Sequence, residues 1–324
     1  MAHLIESVNG KAEIAFAGQK PWHGLGQNLT PDASIEVWQQ EAGLNWQAEL
    51  SPVRYTAYGN ECFAGGHNVI HRSDTNTALG IVTDRYRVHQ PKEILDFFNT
   101  LVESAGFTLE VAGAIKGGKR IWALANVNQE ACVFGNDEMK GYLLLSTSFD
   151  GSTATIGQYT SIRVVCNNTL SAADSENSKS RISITHGSRF DASLIRNRLG
   201  LVVGGFEGMM DKYRWMARTD VTSKFADQFL QKLFPPTVVN HANGTPFLHS
   251  RGYLKVMDLF EGKGKGSNLP NVHGTRWGLL NAVTEFVDHH RGHNVDTRLN
   301  NAWFGQGARP VSYTHLTLPT TPYV

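Results

Sequence analysis

The residues in this chain best suited to chemistry are cations and amides set on or beside predicted strands. Gln158 to Thr169 is unusually polar for a segment between apolar runs. Within it, Arg163 offers a fork of N–H donors that suits phosphate oxygens, and Asn167, Asn168 and Thr169 form a polar turn around it. Arg163 is equally able to pair with a carboxylate, and the two Asn to cap a turn. Lys116, Lys119, Arg120, Arg181 and Arg189 lie near the same strands. If Lys119, Arg120, Arg163, Arg181 and Arg189 share a groove, they make a track for a phosphate backbone. Tyr159 and Trp122 would then be platforms on which bases stack.

A second group sits on one face of the last predicted helix: Asn281, Glu285, Asp288 and His289, with His293 just beyond. Glu285 and His289 are four residues apart, a spacing at which two side chains reach one divalent metal. No second ligand cluster accompanies them, and the pattern is not the His-Glu-x-x-His of metalloproteases, so these residues are expected to bind no metal. His23, between Trp22 and glycine, is either a base in a tight loop or a packed structural histidine. No glycine-rich nucleotide loop and no Gly-x-Ser-x-Gly elbow occurs. No catalytic residue and no cofactor is assigned.

The elements that must position these residues follow from periodicity. A helix is predicted after Asp32, with Ile35, Trp38 and Ala42 on one side and Gly43 as its stop. Alternation over 45–50 predicts a half-buried strand, followed by strands at about 67–73 and 78–88. Pro91 suits the first position of a helix whose apolar stripe is Ile94, Leu95, Phe98, Leu101 and Val102. Strands at 107–115 and 119–126 flank Gly117-Gly118, and strands at 141–149 and 153–165 flank Asp150-Gly151. A short strand follows at 181–186. Adjacent strands joined by turns, and not by helical crossovers, give an α+β class with an antiparallel, hairpin-rich sheet and flanking helices.

Beyond it the pattern becomes mainly helical. Ile195, Leu199, Val202, Phe206, Met209, Tyr213 and Met216 recur at alternating spacings of four and three. This stripe is expected to be buried, either against the β-rich half or across a homo-oligomer interface. A helix capped at Thr222 or Ser223 runs to Pro235-Pro236, and a last one from Thr275 to about His290. The division expected is a β-rich α+β domain over 1–187 and a helical domain over 188–310. Residues 311–324 carry no Lys, Arg, Asp or Glu, and Val311 to Thr320 can be reverse-translated in one frame into a string that resembles a sequencing-library adaptor. They are expected to be non-native, to pack poorly and to replace a natural C-terminal end.

Composition narrows the classes. The charged fraction of 18% and hydrophobic fraction of 41% are those of an ordinary globular chain. The net charge of +1 carries no global nucleic-acid signature. It is unevenly spread: residues 1–110 hold 7 Lys and Arg against 13 Asp and Glu, so the remainder is basic. Three scattered cysteines fit a reducing cytosol, and no stretch reaches the roughly 20 apolar residues of a membrane span. A cytoplasmic location away from membranes is expected.

Three stretches carry a resemblance. They are Trp22-His23-Gly24-Leu25-Gly26, then Thr160-Ser161-Ile162-Arg163-Val164-Val165-Cys166-Asn167-Asn168-Thr169-Leu170, and Trp277-Gly278-Leu279-Leu280-Asn281-Ala282-Val283-Thr284-Glu285-Phe286. Together they resemble the phage/plasmid-like protein family, the domain of unknown function 932 family. The resemblance implies a gene carried on prophages and plasmids, and it implies no activity, cofactor or site residue. With the basic residues, it leads to the expectation of a nucleic-acid-binding protein of mobile-element DNA metabolism, with single-stranded DNA as partner. The order helix, three strands, helix is also compatible with phage single-strand annealing proteins, by analogy of fold alone. The alternatives are a metal-dependent nuclease or other hydrolase using Glu285, Asp288 and His289, or a protein–protein module acting against host defence through the 195–216 stripe.

Overall fold

Alanine sets the architecture of the first half. In the computed structural model, which describes residues 7–8, 10–18, 25–135, 137–160, 181–193, 205–238, 247–291, 314 and 318, strands β3 (Ile14–Ala17), β8 (Thr108–Ile115) and β9 (Arg120–Cys132) lie side by side. Ala15, Ala17, Ala112, Ala114, Ala123 and Ala125 are all buried there. Such short side chains make a shallow floor, so the large rings of Trp38, Phe97 and Phe98 fill the layer above without overpacking. Those rings come from helices α1 (Ile35–Glu41) and α2 (Pro91–Ala105). Pro91 opens α2 as expected, and the Glu93 carboxylate accepts the Gln90 N–H at 2.7 Å, half of a capping box. For α1 the cap is Ser34 and not Asp32: its hydroxyl accepts the Val37 N–H.

The main sheet has seven strands in the order β12-β11-β10-β9-β8-β3-β4, where β4 is Gln27–Leu29, β10 Glu138–Ser148, β11 Thr155–Thr160 and β12 Arg181–Ile184. β10 with β11, β11 with β12, β3 with β8 and β8 with β9 are antiparallel, and β3 with β4 is parallel. A separate three-stranded sheet joins β5 (Ala48–Ala57), β6 (Asn60–Arg72) and β7 (Ala78–Thr83). The strand expected at 45–50 is the start of β5, which continues for seven residues past it. Nothing between Glu49 and Val69 is buried, so this stretch has no in-and-out alternation for periodicity to detect. Two two-stranded pairs complete the strands: β1 (Ser7–Val8) with β2 (Lys11–Ala12), and β13 (Thr237–Val238) with β14 (Phe247–Leu248).

The chain divides into two compact units. The first lies within 1–129, 140–165 and 176–205, and the second takes in 130–139 and 206–324. The fold is mixed α+β with a mostly antiparallel sheet. In the second unit the helices are α3 (Gly205–Ala217), α4 (Ser223–Leu233), α5 (Arg251–Asp258) and α6 (Arg276–Glu285). Thr222, Ser250 and Thr275 cap the last three through their hydroxyls. Wider π-helical turns extend α5 over Leu259–Lys263 and α6 over Phe286–His290.

Phe206, Tyr213 and Met216 of the expected stripe are buried, together with Met210, in a core shared with Phe229, Val256, Leu280 and Val283. The cover therefore comes from helices of the same unit. Ile195, Leu199, Val202 and the side chain of Met209, which belong to the same expected stripe, lie outside the described residues. Trp277 donates its indole N–H to Asp137 at 2.8 Å and packs 4.8 Å from the ring of Tyr213. The expectation that 311–324 makes no apolar contact fails at Leu318. This side chain is fully buried in that core, and Arg276 donates to its carbonyl. Full burial of a leucine side chain contributes about 1.5–3 kcal/mol.

Candidate nucleic-acid interface

The basic residues are positioned by two tight turns. The β8–β9 turn closes on the pair Ile115 and Arg120, and Lys116, Gly117 and Gly118 between them have φ of 53°, 68° and 92°. Glycine adopts this left-handed backbone freely, whereas lysine pays steric strain. Gly118 lies tight against Trp46 and Arg72: a Cβ there would be 3.1 Å from the indole and 3.2 Å from the guanidinium. Next to it, the Phe149 N–H donates to Lys119 O at 2.8 Å, so the β10–β11 turn lies beside the β8–β9 turn.

Asp150 organises that second turn. Its carboxylate accepts the Ser152 N–H at 2.9 Å, while the Ser148 hydroxyl donates to Thr153 O at 2.8 Å. Burial works to raise the Asp150 pKa, but the Ser152 hydrogen bonds and the charges of Arg120 and Lys116 outweigh it and hold the carboxyl below its ordinary range. Lys116 is held below the usual lysine value, first by burial and then by Arg120 and Lys119, against the attraction of Asp150. Lys116 and Arg120 thus act on the Asp150 carboxylate, and Lys119 stands near Lys116. Gly80 of β7 makes the approach possible, since a Cβ there would stand 2.5 Å from the Asp150 Cα.

Two loops at the same end of the sheet are stitched together by a buried polar chain. The Arg87 N–H donates to His186 O at 2.6 Å, and Tyr86 donates its hydroxyl to Ser148 O at 2.7 Å. His186 Nδ1 lies 2.9 Å from Arg87 O, and His89 Nε2 lies 3.0 Å from Ser188 O. A carbonyl only accepts, so both of those nitrogens carry hydrogen. The other nitrogen of each ring faces a hydroxyl: His89 Nδ1 is 2.6 Å from Thr155 Oγ1, and His186 Nε2 is 3.4 Å from Thr147 Oγ1. Burial lowers both histidine pKa values, that of His186 to about 4. Both rings are therefore neutral near pH 7, and their role is to pin the loops. The pinned loops carry Arg85, Arg87 and Arg189, all exposed.

The structure thus brings Lys119 and Arg120 together with Lys116, and places Arg189 at the same end of the sheet. Arg181 starts β12 opposite Gln158, while Ile184 at the basic end faces Thr155, so the two backbone positions are about 10 Å apart. Tyr159 stands in β11 opposite Leu143. The side chains of Arg181 and Tyr159, and all of Arg163, Asn167 and His23, lie outside the described residues. Trp122 is corrected: at 4% exposure it is a core residue, because its position in β9 sits in the middle of the seven-stranded sheet. Arg85, Arg87, His89 and His186 were missed. The two histidines meet across almost a hundred residues, and no local spacing records such a contact.

On the last helix, Glu285 is engaged locally. It accepts the Lys265 N–H at 2.6 Å and lies 3.7 Å from His290 Nε2. The side chains of Asp288 and His289 lie outside the described residues. Among the described residues, no three His, Cys, Asp or Glu are grouped as a metal ion requires. Likewise, no helix among them is long and apolar enough to cross a membrane.

The family model described as Domain of unknown function (DUF932) matches residues 78–315, a span that contains both turns and both pinned loops. No curated protein and no solved structure matches the chain.

Proposed function

The chain belongs to the DUF932 family of domains of unknown function, and from that premise we propose that it is a nucleic-acid-binding protein of mobile-element DNA metabolism whose ligand is single-stranded DNA. The observation that carries this reading is the grouping of Lys116, Lys119 and Arg120 on the one β8–β9 turn, beside Asp150. Arg87 and Arg189 stand on the pinned loops at the same end of the sheet. Local positive charge of this kind attracts a phosphate backbone and releases its counterions on contact. The link to phages and plasmids rests on the resemblance carried by the Trp22 to Gly26, Thr160 to Leu170 and Trp277 to Phe286 motifs.

The test is fluorescence anisotropy of a labelled single strand with the full chain. Replacing Lys116, Lys119 and Arg120 together by Ala is expected to weaken binding at least about tenfold, through lost phosphate contacts. Asp150→Asn keeps the turn's acceptor, removes the competing charge, and is expected to tighten binding. If the triple variant binds as the parent does, the basic end of the sheet is not the interface.

A further inference from the structure

Residues of α1, the α1–β5 segment, the turn after β6 and the start of α2 line a cleft of about 730 Å³. That is the size of a small-molecule site. Its polar groups fall into two sets. One set fixes the walls. The Gln90 amide pairs with Ala48 as a strand would: its Oε1 accepts the Ala48 N–H at 2.9 Å, and its Nε2 donates to Ala48 O at 3.0 Å. Ser73 Oγ accepts the Gln47 N–H at 2.9 Å, and the Ser73 N–H donates to Gln47 O, also at 2.9 Å. Glu93 accepts the Gln90 N–H at 2.7 Å. Trp46 donates its indole N–H to Gly43 O at 3.0 Å and is nearly closed off from solvent.

The other set is unspent. The side chains of Gln39, Asn45, Gln47, Lys92 and Asp96 also line the cleft, and among the described residues they make no hydrogen bond and no ion pair. Lys92 and Asp96 are four residues apart on α2, which puts their Cβ atoms about 5–6 Å apart on one face. They do not pair with each other, and lysine before the acid is the weaker order for a helical pair. A cation and a carboxylate thus stand side by side with their hydrogen-bonding capacity open, beside three open amides.

We infer that this cleft binds the guanine base, free as a nucleoside or carried on a strand. The lining sets two carboxylates, Glu93 and Asp96, against the one ammonium of Lys92, so it turns away phosphate and suits an uncharged ring. A carboxylate only accepts, and its two oxygens are best met by two parallel N–H donors. Among the DNA bases guanine offers that pair, at N1 and N2. Adenine and cytosine present one amino group beside an acceptor, and thymine one N–H between two carbonyls. Guanine also carries the acceptors O6 and N7, which an ammonium or an amide N–H reaches. Asp96 therefore takes N1–H and N2–H, Lys92 takes O6, and the amides of Gln39, Asn45 and Gln47 meet the remaining acceptors. The aliphatic stems of Lys92 and the glutamines give a flat ring apolar surface. The inference is independent of the proposed phosphate surface.

Isothermal titration calorimetry of the full chain with guanosine, inosine, adenosine, cytidine and thymidine tests this. Guanosine is expected to bind, and inosine, which lacks the N2 amino group, about tenfold more weakly. Asp96→Asn should weaken guanosine about tenfold and gain xanthosine, whose C2 carbonyl accepts the new amide N–H. A misfolded variant cannot give that gain. Replacing Lys116, Lys119 and Arg120 together by Ala should leave guanosine binding unchanged. A thymidine homopolymer strand carrying one guanine separates the sources. Tighter binding than the plain homopolymer, lost in Asp96→Asn, assigns strand-borne guanine, and equal binding of the two strands assigns the free nucleoside. Adenosine, cytidine or thymidine binding as tightly as guanosine, guanosine binding that is unchanged in Asp96→Asn, or no binding by any of these nucleosides overturns the inference. Loss of guanosine binding in the triple Ala variant would place the base on the basic turn and also overturn it.

Discussion

Lys116 carries two demands that conflict. Its backbone is in the left-handed region, where a residue with a Cβ costs about 1–2 kcal/mol and glycine costs nothing. Its ammonium is attracted by Asp150 and repelled by Arg120 and Lys119. Lys116→Gly is therefore expected to raise the thermal midpoint by a few degrees, a stabilisation of roughly 1 kcal/mol, and to weaken single-strand binding. Calorimetry and anisotropy on one preparation check both, and a variant that is stabilised without loss of binding would remove Lys116 from the interface. His186 gives a pH prediction with a definite sign. Its pKa falls from 6.5 to about 4 on folding, so the unfolded chain binds the proton first. The stability it contributes is complete above about pH 6.5 and is lost as pH falls toward 4. Urea titrations over that window should show declining stability, and His186→Gln should flatten the decline. A decline of equal slope in the variant would move the effect to other groups. Of these residues, Lys116, Lys119 and Arg120 were evident in the sequence because they crowd one hairpin turn. The histidines were not, since their partners come from loops far apart in the chain.

The elements differ most in how their charges are kept. Arg72, at the end of β6, donates to both Glu13 oxygens at 2.9 and 2.6 Å and to Asp74 at 2.7 Å, while its guanidinium lies 4.7 Å over Trp46. Arg72 and Glu13 are almost fully buried, and Gly43 leaves room for Glu13, since a Cβ there would be 2.6 Å from it. Burial alone would lower the Arg72 pKa, but the two carboxylates more than compensate and keep it charged. Arg72→Ala takes away the charge that balances buried Glu13, and the expected cost is about 3–5 kcal/mol. Arg54→Ala, which removes an exposed pair with Glu61 at 3.1 Å, should cost under about 1 kcal/mol. Urea denaturation of the two variants separates the cases, and equal costs would contradict this account. The sequence revealed α2, with Pro91 at its start and a regular stripe, and both glycine-marked hairpins of the main sheet. It did not reveal β3, four buried residues too few for a period, or the outer part of the β5–β6 hairpin, which has no core face. Helix α5 was missed because eight residues after Ser250 make barely two turns of stripe.

At the scale of the whole molecule, two sites are assigned to two different features of the first unit: a basic sheet end for a polyanion and a net acidic cleft for an uncharged base. Net charge of +1 hides this, because an excess of acidic residues before residue 110 offsets the basic remainder. What the sequence could not supply was which cations meet, since that depends on strand order and turn geometry and not on their number. The central claim is that the meeting of Lys116, Lys119 and Arg120, with Arg87 and Arg189 at the same end, is a phosphate-binding surface. The most direct measurement is the affinity of the full chain for a labelled single strand across a salt series. With about three to five phosphate contacts, the log of the binding constant should fall against log salt with a slope of about −2 to −4, and the slope should become shallower when Lys116, Lys119 and Arg120 are replaced by Ala. No binding at low salt, or binding whose strength does not change with salt, would contradict it.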